Sequence, residues 1–119
     1  MKDYSSLELA FLGDAVHTLY VRKFALENFD LPMNGINGIC ASLCSAEQQA
    51  RVLMALDLNE TEADIARRAR NVKSKHSSKN TSPIIYKQAT AFEALVGYLS
   101  VTNQNERLEN ILNVSVRLR

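Results

Sequence analysis

Two carboxylates stand out because so little that is polar surrounds them. Asp14 is the only formal charge between Glu8 and Arg22, inside Leu7-Glu8-Leu9-Ala10-Phe11-Leu12-Gly13-Asp14-Ala15-Val16-His17-Thr18-Leu19-Tyr20-Val21, a stretch apolar on nearly every side when wound as a helix. Glu93 is the only charge between Lys87 and Glu106, inside Ala89-Thr90-Ala91-Phe92-Glu93-Ala94-Leu95-Val96-Gly97-Tyr98-Leu99. Burying an unpaired carboxylate costs several kcal/mol, comparable with the net stability of a small domain. Each acid also has small residues near it, Ala10 and Gly13 beside Asp14, Ala89 and Gly97 one turn to either side of Glu93. A mid-helix glycine costs roughly 1 kcal/mol against alanine, so the matched pair points to close approach of backbones. The two helices are expected to cross there and bring Asp14 and Glu93 to one site. Converging acids repel unless protonated or bridged by a cation, and hard oxygen ligands without a Cys or His cluster favour magnesium or manganese. The plainer alternative, an exposed seam on each helix, explains either acid alone better than both.

A second feature bears on the substrate. The net charge is only +1, yet Arg67, Arg68, Arg70, Lys73, Lys75 and Lys79 follow one another with no acid among them. Such a run can be an ordinary solvated surface, but beside a two-carboxylate cation site it fits a phosphodiester, whose phosphates basic side chains neutralise without reading sequence. Magnesium can activate water and stabilise charge on a leaving oxygen, so the combination describes a metal-dependent nuclease.

The elements that must position these groups are helical. Ser5 or Ser6 can cap a first helix from about Leu7 to Asn28; Asp30 to Gly35 has turn composition, and a short helical piece is expected from Asn37 to Leu43. Ser45-Ala46-Glu47-Gln48 has capping-box spacing and opens a helix with Ala50, Val52, Leu53 and Leu56 inside, ending near Asp57. Asn59 or Thr61 caps a helix from Glu62 to about Asn71, Val72 to Ser82 is an expected surface loop, and Pro83 opens the Glu93 helix, which runs to about Thr102. A last helix from Asn103–Asn105 to the end turns Leu108, Ile111, Leu112 and Val116 inward. No alternating strand pattern occurs, so the expected fold is all-α, a single domain of 119 residues with six or seven helices. Composition of 46% hydrophobic and 23% charged residues is that of a globular protein, with no membrane span and no signal peptide, which implies a cytoplasmic location. Cys40 and Cys44 are expected to be reduced, partly buried thiols, and His17 and His76 to be a satisfied structural histidine and a solvent-exposed one.

The motifs also carry a resemblance. Leu9-Ala10-Phe11-Leu12-Gly13-Asp14-Ala15-Val16 resembles the signature stretch of the ribonuclease III catalytic domain, and Thr90-Ala91-Phe92-Glu93-Ala94-Leu95-Val96-Gly97 its second acidic motif, in the same order and separation. Arg67-Arg68-Ala69-Arg70-Asn71-Val72-Lys73-Ser74, Lys79-Asn80-Thr81 and Tyr86 are similar to the Mini-ribonuclease III branch. The resemblance implies an all-helical homodimer that cuts double-stranded RNA with magnesium, leaving 5′-phosphate and 3′-hydroxyl ends. It assigns Asp14 and Glu93 as catalytic, metal-binding acids and Phe11 as an aromatic that packs into the partner subunit. The larger enzymes of the family carry further acids where this chain has Leu7, Ala10 and Thr90, so a thinner ligand shell filled out by water is implied.

Without a double-stranded-RNA-binding domain after Arg119, grip on RNA is expected from the dimer valley and from Arg67, Arg70, Lys73, Lys75 and Lys79, with Asn71, Ser74 and Asn80 as further donors to the RNA backbone or simply as loop caps. The branch implies large-subunit (23S) ribosomal RNA precursor as substrate, with a ribosomal protein as helper. The rival class is a relative that keeps the fold and binds structured RNA without cutting it. Two lone acids in apolar helices argue against that rival, since a mere binder would gain stability by losing them.

Overall fold

A computed structural model of the chain describes residues 3–72 and 82–118. Among these residues there are six α-helices and no strand: α1 (Ser6–Asn28), α2 (Met33–Leu43), α3 (Ala46–Ala55), α4 (Glu60–Arg70), α5 (Pro83–Val101) and α6 (Asn105–Arg117). The expected loop over 72–82 falls almost wholly on residues 73–81, outside the described residues.

Local chemistry sets most of the boundaries. Ser5 opens α1 with a reciprocal capping box, its Oγ accepting from the Glu8 N–H at 3.1 Å while the Ser5 N–H donates to Glu8 Oε1 at 2.9 Å. Asn59 and Glu62 do the same for α4, Ser45 caps α3, and Ser82 caps α5 with Pro83 in its first turn. Asn103, at φ 56°, turns the chain from α5 into α6 through the left-handed conformation that asparagine tolerates. The expected turn over Asp30–Gly35 is shorter than its composition implied, because α2 begins at Met33 rather than Asn37. Pro32 supplies the extended residue before the helix. Asn34 and Gly35 then fall in its first turn, where N–H groups lack intrahelical partners, and the Gly35 N–H donates to Asn34 Oδ1 at 2.9 Å.

The centre of the molecule is α5, not α1. Ala91, Phe92, Ala94, Leu95, Val96 and Leu99 are fully buried, a helix apolar all round, and α1, α3, α4 and α6 all pack on it. The first helix, expected to be the hidden one, buries a single ridge: Leu9, Gly13, His17, Val21 and Ala25 at every fourth position, with Ala10 alongside. Phe11, Leu19 and Leu26 face outward. Both helices are rich in apolar residues, and the difference between them is one of placement rather than composition.

The crossing of α1 on α5 leaves no room for a side chain at either glycine. A Cβ on Gly13 would lie 1.7 Å from the Glu93 carbonyl oxygen, and one on Gly97 would lie 1.9 Å from the Leu9 carbonyl oxygen. Backbone meets backbone there, and neither carbonyl can swing aside without breaking its own helix. A half-buried ion pair adds a second tie: Glu62, almost wholly buried, accepts from the partly exposed Arg107 at 2.9 and 3.0 Å, and Arg107 also donates to the Asp57 carbonyl at 2.9 Å. It joins α4 to α6 and holds the Glu62 carboxyl below the usual range, chiefly through the hydrogen bonds from Arg107.

Gly97→Ala is therefore expected to destabilise the fold by about 3 kcal/mol, the upper end for overpacking, despite alanine's better helix propensity. Gly13→Ala should do the same, and chemical denaturation is the measurement. An alanine at either position that leaves the unfolding midpoint unchanged would refute the backbone contact.

Candidate active site

The Gly13 contact with the Glu93 carbonyl fixes where the two acids lie. Asp14 is the residue just past the buried ridge of α1, so its carboxylate emerges at the edge of the crossing. Glu93 points out of α5 at that same edge. The side chains meet, with Asp14 hydrogen-bonding to Glu93. Asp14 is exposed and Glu93 half-buried, which corrects the expectation that both carboxylates sit in apolar surroundings. Only one of them bears the cost of leaving water.

That cost appears in the acidity of Glu93, whose carboxyl is pushed up to about 8, first by burial and then by the charge of Asp14 and the hydrogen bond between them. A hydrogen-bonding interaction from the Gln49 side chain works in the opposite direction, and among the described residues none of the groups acting on Glu93 is a cation. At neutral pH and without a bound ion, Glu93 therefore holds its proton and can donate it to the Asp14 carboxylate. Among the described residues no group of three or more His, Cys, Asp or Glu side chains could hold a metal ion. Among the described residues the possible ligand set is the pair of acids.

Behind the pair lies a polar wall that the sequence patterns did not indicate. Gln49 on α3 is buried and its Nε2 lies 3.1 Å from His17 Nδ1; His17 Nε2 lies 3.3 Å from Ser115 Oγ on α6, and Ser115 donates to the Leu112 carbonyl. The His17 ring meets Phe92 edge-on at 5.0 Å, and burial pushes it down to about 4, so it is neutral near pH 7. His17 is thus the satisfied structural histidine expected of it. Gln49 and Ser115 were missed. Helical spacing would have placed both on inward faces, but short polar side chains in amphipathic helices look like surface residues until their partners are known. Cys44 also borders the site, its thiol pushed up to about 11 by burial, with Cys40, Asp14 and Glu93 adding to the effect. Both cysteines are free and partly buried.

The basic residues are only partly placed. Arg67 and Arg68 on α4 are exposed and both bond Asp64 one turn earlier, Arg68 through Nε at 2.9 Å and its terminal nitrogen at 2.6 Å. Surface pairs of this kind are weak and exchange readily for a phosphate. Arg70 is half-buried in the last turn of α4, and Asn71 is the C-cap with an exposed side chain. Lys73, Ser74, Lys75, His76, Lys79 and Asn80 lie outside the described residues.

Comparison with known proteins agrees with this architecture. Residues 7–104 match the model of the Ribonuclease III domain. A Mini-ribonuclease 3 from a Thermoanaerobacter species is 40% identical over 96% of this chain and 82% of its own length. The Mini-ribonuclease 3 of Brevibacillus brevis is 41% identical over 89% of this chain and 81% of that protein. The X-ray structure of a Fusobacterium nucleatum protein superposes with a TM-score of 0.88 at 33% identity, covering 98% of this chain and 94% of that one. With the family model spanning both acidic motifs and relatives this similar over about four-fifths of their own length, the chain belongs to the ribonuclease III domain family of endoribonucleases, in its Mini-ribonuclease 3 group.

Proposed function

We propose that the chain is a magnesium-dependent endoribonuclease of double-stranded RNA in which Asp14 and Glu93 are the catalytic, metal-binding acids, with large-subunit ribosomal RNA precursor as the substrate to test first. The observation that carries this reading is the meeting of two carboxylates, one of them held protonated by its burial and by the charge of the other. A divalent ion offsets both charges at once. Magnesium keeps most of its water shell and is commonly held by one or two carboxylates, so a two-acid set suits it; manganese, with the same ligand preferences, would serve as well.

When bound, the cation supplies Lewis-acid polarisation of the scissile phosphate and stabilises charge on the oxygens of the displacement. The rest falls to the chain. Asp14, exposed, faces the side from which RNA arrives. Glu93, backed by Gln49, is the rigid member of the pair and gives up its proton as the ion enters. Arg67, Arg70 and Asn71 at the end of α4 are proposed to contact the RNA backbone together with Lys73, Ser74, Lys75, Lys79 and Asn80. A homodimer is proposed as the working form, with Phe11 at its interface. Phe11 is 84% exposed and Leu7, one turn earlier on the same face, 52% exposed, an apolar pair that a partner surface would cover. A large-subunit ribosomal protein is proposed as the helper, and no membrane is involved. No helix among the described residues is long and apolar enough to cross one. The cytoplasm is the compartment this reading implies.

Asp14→Asn and Glu93→Gln preserve shape and remove charge. Several kcal/mol of transition-state stabilisation, at a factor of ten per ~1.4 kcal/mol, sets the expected loss of duplex-RNA cleavage at roughly a thousandfold in either variant, with helicity retained. Cleavage at the normal rate by either one would remove the assignment.

The pKa of Glu93 gives a second test. A carboxyl raised from 4.5 to about 8 on folding contributes stability that is fully present below about 4.5 and is lost as pH rises through about 8. In the absence of divalent ions, the thermal midpoint of the wild type should fall over that window relative to Glu93→Gln. Magnesium should reverse the fall and release protons when it binds near pH 7, as calorimetry in buffers of different ionisation enthalpy would register. No difference in proton release between wild type and Glu93→Gln would count against Glu93 as a ligand.

Phe11→Ala is expected to move the protein from dimer towards monomer in sedimentation at micromolar concentration. An unchanged sedimentation coefficient would exclude Phe11 from the interface.

A further inference from the structure

Magnesium coordination alone does not account for the buried polar groups behind Glu93. An interior position filled by glutamine, histidine and serine costs more than the same position filled by aliphatic side chains unless every hydrogen bond is made. From the Leu112 carbonyl to Gln49 the bonds are made, and they run in one direction. The Leu112 carbonyl can only accept, so the Ser115 hydroxyl spends its single proton there. Ser115 Oγ is then left to accept from His17, which puts the ring proton on Nε2. Nδ1 of the neutral ring is thereby an acceptor, and the atom it faces must be a donor, so the Gln49 amide presents its nitrogen to the ring. That nitrogen carries a second proton, and the Gln49 side chain lies close enough to act on the Glu93 carboxyl. A carbonyl on α6 thus dictates, through the α1 ring, which end of the Gln49 amide on α3 is held at that ring.

We propose that Gln49 is a positioning residue for the cation site, its amide locked by His17 and Ser115 so that an N–H donor is fixed on Glu93 and turns that carboxylate towards Asp14. This rests on the reading of Asp14 and Glu93 as the cation ligands. A ligand set of only two side chains gains most from such support, because a rigid carboxylate loses less freedom when the ion arrives, and outer partners of metal ligands are typically worth about tenfold or more in metal affinity. Gln49 and Ser115 are both buried, with Ser115 fully so, and neither touches solvent in a way that would suggest an independent contact with RNA.

The test is magnesium binding to the folded protein, measured by calorimetry without RNA, in the wild type, Gln49→Met, Ser115→Ala, Asp14→Asn and Glu93→Gln. Gln49→Met keeps the length and removes the donor. It is expected to weaken magnesium binding about tenfold or more, with cleavage lost at low magnesium and recovered at high magnesium. Ser115→Ala, which frees the ring at the far end, should weaken binding in the same sense by a smaller factor. A role in packing alone would lower the unfolding midpoint and leave the magnesium Kd of the folded protein where it was. Wild-type affinity in folded Gln49→Met overturns the proposal. Should that variant fail to fold, wild-type affinity in Ser115→Ala overturns it instead, and weakened affinity there supports it. The arms with Asp14→Asn and Glu93→Gln separate the two levels: if both bind magnesium normally, the two-acid site itself is wrong and the proposal falls with it, whereas if they lose magnesium and Gln49→Met does not, only the positioning role is lost.

Discussion

The contact on which the rest depends is that of bare backbone against bare backbone where α1 crosses α5. Gly13 lies against the Glu93 carbonyl and Gly97 against the Leu9 carbonyl, at separations where a single added carbon would overlap them. Helix pairs held apart by ordinary side chains run 8–10 Å between axes, and at that spacing short carboxylates at the rim of a crossing need not meet. Removing the side chains at the crossing draws the rims together. The glycines therefore act twice, once in packing and once in setting the separation of two charges that neither glycine touches through a side chain of its own.

Closeness has an electrostatic consequence that is divided unequally. Asp14 stays in contact with water, while Glu93 is backed by the core and carries the rise in pKa. An arrangement with both acids buried would be far more costly, and one with both exposed would leave neither in need of a counter-ion. The one-sided arrangement leaves the pair open to whatever arrives from solvent and poised between holding a proton and holding a cation. The polar row from Ser115 through His17 to Gln49 stands on the buried side only, where a carboxylate cannot recruit water for itself.

Much of this was legible in the residues, and the parts that were not share a cause. The glycine crossing, the meeting of Asp14 with Glu93, the Asn59 and Ser45 caps and the all-helical fold all follow from local spacing and from the oddity of a lone charge in an apolar run. The centre of the fold did not follow. Leu7 to Val21 and Ala89 to Leu99 are alike in composition, and only tertiary packing decides that the second is enclosed by four helices while the first keeps Phe11 and Leu19 outside. The start of α2 was missed because Asn34 and Gly35 suit a turn and a first helical turn alike. Gln49, Ser115 and the Glu62–Arg107 pair were missed because a polar residue becomes a core residue only through a partner far along the chain: 98 positions separate His17 from Ser115 and 45 separate Glu62 from Arg107.

Glu62 also supplies the comparison that gives Glu93 its meaning. Both are glutamates on helices packed into the core, and the same chain treats them in opposite ways. Glu62 is closed off with a permanent cation, the Arg107 guanidinium, which bonds both carboxylate oxygens and holds the group ionised. Its pKa falls. Glu93 is given a second acid and a neutral amide, and its pKa rises. Had a stable fold been the only requirement, an arginine within reach of Glu93, or an aliphatic side chain in its place, would have cost less. A carboxylate left without a counter-charge among the described residues, with a buried amide on one side and an exposed acid on the other, is a group whose neutralisation is reserved for something that comes and goes. A fixed arginine would fill that place permanently; a proton or a hydrated divalent ion leaves it exchangeable, and of these only the ion brings the positive charge that chemistry on a phosphodiester requires.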